Sequence, residues 1–169
     1  MDQPSKYLNL FLIFLIFLIT NACGMSGRGV LPERSSGDGA VNTMERPHVE
    51  MNSITQKLHQ AHSEWAGTPY VLGGSGKNGI DCSAFTKRVL EEYFDIQIPR
   101  HTRDQLQSGS SVRRNYIRPG DLVFFRTARG VLHVGIAMEG DDFLHASVSS
   151  GVMVSSLRES YWASRYLGT

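Results

Sequence analysis

Near residue 120 the hydrophobic pattern of the chain changes period, and that change limits the folds open to it. Upstream, Ile54, Leu58, Ala61 and Trp65 recur at helical spacing. Phe85, Val89 and Tyr93 share one face of a second helix, with Leu90 and Phe94 beside them. Downstream, Leu122–Phe125, Leu132–Ala137, Phe143–Ala146 and Val152–Val154 are short β-prone runs. Turn signals separate them: Pro119-Gly120-Asp121, Ala128-Arg129-Gly130, Glu139–Asp142 and Ser149-Ser150-Gly151. Strands this closely spaced pair as hairpins, hence antiparallel. Helices followed by strands make an α+β domain, with N-terminal helices packed on an antiparallel sheet.

The punctuation of the first half is equally readable. Ser53-Ile54-Thr55-Gln56 has the form of a capping box, and Gly67 and Pro69 close the helix that follows. The glycine-rich stretch Gly73–Gly79 lacks the Gly-Lys-Ser/Thr ending of a phosphate-binding loop, so it reads as backbone flexibility alone. The second helix opens at Asp81-Cys82-Ser83 and is stopped by Ile98-Pro99. A short polar helix is expected over Thr102–Gln107, and the folded domain over 51–169.

The N-terminus sets the compartment. After Lys6, the run Leu8–Ile19 is apolar apart from Asn9. A spanning helix needs about 20 apolar residues, so this shorter run suits the core of a secretory signal. It ends in Thr20-Asn21-Ala22-Cys23-Gly24, which resembles the lipobox of bacterial lipoproteins, with Thr20 where Leu is usual. The reading is a signal peptide over 1–22, a lipid on Cys23, and a flexible tether over 23–50 rich in Gly, Ser, Arg and Pro. The alternative is an uncleaved membrane anchor with an incidental cysteine. Gly24 carries no inner-membrane retention signal, so the expected address is the outer membrane facing the periplasm, with the domain outside the cytoplasm. A net charge of +1 gives no reason to expect nucleic acid. Two cysteines in such different settings are given separate jobs, with one Cys23–Cys82 bridge as the rival.

Cys82 falls in the first turn of a helix, where unpaired N–H groups and the helix dipole are expected to lower a thiol pKa. His133 and His145 sit inside neighbouring apolar strands, close enough in a hairpin for their rings to meet. A thiol, an imidazole base and a third group orienting that base form a generalised catalytic triad. Taken singly, each of these residues has an ordinary structural explanation. Zinc binding by Cys82, His101, His133 and His145 is the rival, but their spacings lack the tight ligand pairs of most zinc sites.

Asp81-Cys82-Ser83-Ala84-Phe85, Gly120-Asp121–Phe125, His133-Val134-Gly135-Ile136 and His145-Ala146-Ser147 resemble, in order, the signatures of the NlpC family of cell-wall cysteine endopeptidases. Gly67–Gly74, Ile98-Pro99-Arg100 and Tyr161-Trp162 extend the resemblance over about Ile54 to Tyr166. It implies a papain-like fold with a sheet of about five to six strands, and cleavage of peptidoglycan stem peptides or their cross-links. In that reading Cys82 is the nucleophile, His133 the general base and His145 its orienting partner. Tyr70 lines the oxyanion site, Asp81 and Ser83 shape the cleft for a peptide amine or backbone group, and Arg100 stands near the cleft. No metal or organic cofactor is needed, and a monomer is expected.

Ala84 stands where the family has Gly, and His101 where a small hydroxyl residue is usual. The chain stops at Thr169, leaving little sequence for a last edge strand. A non-catalytic wall-binding lipoprotein, an amidase or acyl transferase using the same thiol, and a surface-tethered partner-binding protein are the competing readings.

Overall fold

A computed structural model describes residues 45–169; the stretch read as a signal peptide, Cys23 and most of the stretch read as a tether lie outside the described residues. The first helix, α1, runs Glu45–Trp65 and buries Leu58, Ala61 and Trp65, the face read from the spacing. It begins earlier than expected, taking in 45–50, which the sequence reading gives to the tether. Ser53 therefore caps nothing. Inside the helix its hydroxyl donates to the Glu50 carbonyl at 2.7 Å, the back-bonding open to a mid-helix serine. Gly67, at φ 73°, ends the helical turn, and its N–H donates to the Val152 carbonyl.

The glycine-rich loop holds a small hairpin that the sequence reading did not foresee, β1 Ser75–Gly76 with β2 Gly79–Ile80. Its glycines do more than loosen the backbone. A Cβ on Gly74 would lie 2.4 Å from the Gly79 carbonyl oxygen, so only glycine admits this crossing.

Helix α2 spans Cys82–Phe94. Asp81 caps it, accepting the Ala84 N–H at 2.8 Å. Its stop is Asp95 in the left-handed region (φ 56°), with the Ile96 N–H returning to the Leu90 carbonyl. That αL cap ends the helix before the expected Ile98-Pro99. Helix α3 follows at Thr102–Leu106.

The second half is sheet. Strands β3 Leu122–Ala128, β4 Val131–Ala137, β5 Asp142–Ser147 and β6 Gly151–Ser156 extend the four expected runs by a residue or a few. Helix α4, Ser160–Ala163, leads into β7, Tyr166–Gly168. This last strand was not expected; it pairs with β3 through Phe124↔Gly168 and Phe125↔Tyr166. Three residues suffice for an edge strand. The antiparallel sheet has five strands in the order β6-β5-β4-β3-β7.

Alternation divides the sheet residues between two cores. On one face Ile136, Leu144, Ala146 and Val152 pack against Leu58, Ala61, Trp65, Phe85 and Val89 of α1 and α2. On the other, Val123, Phe125, Ala137 and Phe143 pack with Leu157 and Trp162. The α+β architecture is thus the one the pattern implied. Between β4 and β5 the ladder is short, pairing only Ile136↔Leu144 and Ala137↔Phe143. The backbone of 133–135 is free of it and available to a side chain.

Candidate active site

The first turn of α2 delivers Cys82 to that stretch of β4. Cys82 is buried with Phe124 and Val134, and its sulfur meets the Val134 backbone N–H. Val134 is the chain neighbour of His133. Its other close partner is the Thr102 hydroxyl on α3, 3.8 Å away. The sequence reading gave Thr102 no role.

His133 and His145 are brought into direct contact. His133 Nε2 and His145 Nδ1 lie 2.9 Å apart in a hydrogen bond, with the rings nearly perpendicular at 87°. Trp162 stacks on His133 at 5.3 Å and meets His145 edge-on. Gly135 makes this approach possible. A Cβ there would meet the Phe143 ring at 2.7 Å and the His145 Cβ at 3.2 Å. Beyond His145 the chain of hydrogen bonds continues, its Nε2 lying 3.1 Å from Ser155 Oγ on β6. Ser155 escaped the sequence reading, although its parity on β6 places it opposite Phe143, whose side chain shares the face of His145.

Burial sets the resting protonation. It lowers the His133 pKa to about 4. It lowers that of His145 to about 3, with His133 adding to the effect. Burial also pushes the Cys82 thiol up, against the pull of the Val134 N–H, the Thr102 hydroxyl and the Ser83 N–H. The expected drop in thiol pKa at the helix start is corrected here: desolvation outweighs it. At rest the thiol and both imidazoles are neutral near pH 7.

Buried neutral histidines tie stability to pH. Each binds a proton less readily folded than unfolded, where its pKa is ~6.5. Their contribution is complete above that value and is lost as pH falls through the folded values of about 4 and 3. For His133 alone the loss between pH 7 and 4.5 is about 2 kcal/mol, at ~1.4 kcal/mol per pKa unit. Urea unfolding at the two pH values checks it; equal stabilities would refute buried neutral rings.

The acidic flank of Cys82 is held by an ion pair. Arg100 grips Asp81 through both nitrogens, at 2.9 and 2.7 Å, and also donates to Ser83 Oγ and the Gly74 carbonyl. Asp81 accepts in addition from Ala84 N–H, Gly73 N–H and Ser83 Oγ. Burial would raise its carboxyl; the bonds from Arg100 and the two N–H groups overcome this and hold it low. Asp81, Ser83 and Arg100 thus clamp the hairpin loop to the start of α2, fixing Cys82. Tyr70 stands near the thiol: burial raises its phenol, and negative charge on Cys82 and Asp81 raises it further. His101 is exposed at the start of α3. Among the described residues no three His, Cys, Asp or Glu side chains converge to hold a metal ion.

The NlpC/P60 family pattern matches residues 67–169, the segment that contains every group of this cluster. The chain belongs to the NlpC/P60 family. An Escherichia coli K12 protein named murein DD-endopeptidase MepS/murein LD-carboxypeptidase is 35% identical over 159 residues, covering 89% of this chain and 85% of that one. A Haemophilus influenzae protein named as a probable endopeptidase is 45% identical, over 76% of this chain and 81% of its own. The crystal structure of the NlpC/p60 domain of peptidoglycan hydrolase SagA superposes with a TM-score of 0.54 at 30% identity, covering 66% of this chain and 92% of that domain. This NlpC/P60 domain thereby bears out the family and fold that its motifs implied.

Proposed function

We propose that this protein is a peptidoglycan endopeptidase, a cysteine-type hydrolase that cuts amide bonds of wall stem peptides with Cys82, His133 and His145. One observation carries the chemistry: a buried hydrogen bond between His133 and His145, with the Cys82 thiol held at a helix start against Val134, the next residue along β4 from His133. His133 is bonded to His145 through Nε2, so its Nδ1 is the atom that receives the proton of Cys82. The thiolate attacks the amide carbonyl carbon, forming a C–S bond and an oxyanion. On this reading N–H groups at the helix start and the Tyr70 hydroxyl stabilise that oxyanion, each such donor contributing about 3 kcal/mol. The intermediate collapses with loss of the amine, which leaves with the proton from His133. A water, giving its own proton to His133, then hydrolyses the thioester and frees the thiol.

The relatives support the substrate, since two of the proteins compared carry murein or peptidoglycan in their names. The relative matching 89% of this chain is named a murein DD-endopeptidase, which favours the cross-link between stems as the bond cut. The reacting groups come from one chain, which supports action as a monomer. The apolar run Leu8–Ile19 before Cys23 supports a lipid anchor in the outer membrane, from which the domain reaches the wall across the tether.

Digestion of purified peptidoglycan by the full-length protein tests this reading. Release of stem fragments, with masses marking the cut at the cross-link, is the expected result. Intact wall after prolonged incubation, with a thiol still open to alkylation, would overturn it.

A further inference from the structure

The two histidines and Ser155 can share their protons in two ways. In the first, His133 Nε2–H donates to His145 Nδ1, and His145 Nε2–H donates to Ser155 Oγ; His133 Nδ1 is then a free base. In the second every bond runs backwards. Ser155 donates to His145 Nε2, His145 Nδ1–H donates to His133 Nε2, and His133 carries its proton on Nδ1, unable to accept another.

Proton transfer from Cys82 selects between them. Once His133 holds protons on both nitrogens, His145 must offer a bare Nδ1 and carry its own proton on Nε2. His145 is fully buried, and among the described residues Ser155 Oγ is the one acceptor bonded to that nitrogen. We propose that Ser155 is a positioning residue of this site: it accepts the His145 Nε2 proton and so holds the ring state in which His133 can take the proton of Cys82. Without it that state leaves a buried N–H unpaired, whereas the unproductive state leaves only a lone pair. The inference rests on the thiol mechanism proposed above, but not on the identity of the substrate.

No charged side chain is bonded to either ring among the described residues. The rings face Phe125 on β3, Phe143 on β5 and Trp162 on α4. Cys82 is the titrating group on α2 that shares the site, with Tyr70 and Asp81 reaching it through Cys82. A change at Ser155 therefore reads out in the Cys82–His133 pair.

The test uses the full-length chain with Ser155→Ala and Ser155→Thr. Alkylation of Cys82 by iodoacetamide is followed from pH 5 to 9 by mass spectrometry of the peptide carrying it, alongside kcat and KM on soluble stem peptides. Ser155→Ala should slow alkylation at pH 7 and lower kcat by about tenfold, with KM unchanged. Ser155→Thr, which keeps the hydroxyl, should restore both to within about twofold. Alkylation in Ser155→Ala equal to wild type, or a folded Thr variant as slow as Ala, would overturn the proposal. Altered alkylation with no wild-type peptide cleavage would sink the endopeptidase reading and leave this one standing. Should the Ala variant not fold, nitrogen NMR of the wild-type histidines decides. A proton on His145 Nε2 is required, and one on Nδ1 refutes the role.

Discussion

Replacing Cys82 with alanine will abolish wall cleavage, lowering the rate by about four orders of magnitude or more, while the domain stays folded. The loss is large because no other group can take its place: the sulfur alone forms the acyl intermediate. The fold survives because the sulfur is bound lightly. Its side-chain hydrogen bond is a 3.8 Å contact with the Thr102 hydroxyl, and the start of α2 is held by Asp81 and Arg100 instead. Removing one small buried atom costs about 1 kcal/mol. Fragment release by the two proteins, with thermal unfolding of each, separates the effects. A variant cleaving at near wild-type rate would remove Cys82 from the mechanism.

The placement of Cys82, His133 and His145 was legible because each sits on a segment whose pattern declares its structure. Cys82 follows an N-capping Asp81, and the two histidines interrupt short, continuously apolar β-prone runs. What escaped was set by contacts distant in sequence. Nothing near residue 155 says that its hydroxyl ends a chain beginning at residue 133, because that requires the registers of β4, β5 and β6 together. The role of Arg100 was left open for the same reason. Its four bonds reach 17 to 26 residues back along the chain, to Asp81, Ser83 and Gly74. The thiol pKa was misread because helix position is visible in a sequence and burial against Val134 and Phe124 is not. Local rules failed only where a weak local signal met a stronger alternative. Ser53 looked like a cap until the helix ran past it to Glu45, and β7 forms from three residues that have β3 to pair with.

The histidines should separate by the size of their effects. His133→Ala removes the group that both accepts the thiol proton and returns it to the leaving amine, a loss of about 10³-fold or more in kcat. His145→Ala leaves that base in place but takes away the acceptor that fixes its ring, and about 10²-fold is expected. The second variant needs more care with folding. His145 is fully buried, with its ring against Phe143 and Trp162, and its removal opens a cavity costing about 2–4 kcal/mol of stability. Rates are therefore compared at a temperature where unfolding curves show both variants intact. The pH dependence of Cys82 alkylation supplies the second readout. In His133→Ala alkylation should follow a lone buried thiol, whose pKa burial has raised, and rise only in alkali. In His145→Ala the neutral-pH reactivity should persist in weakened form, because His133 can still take the proton when its ring is correctly turned. A His133→Ala variant that cleaves as fast as wild type would leave the thiol without its base and end the triad assignment. A His145→Ala loss as deep as that of His133→Ala would instead make the ring-to-ring bond as necessary to the reaction as the base itself.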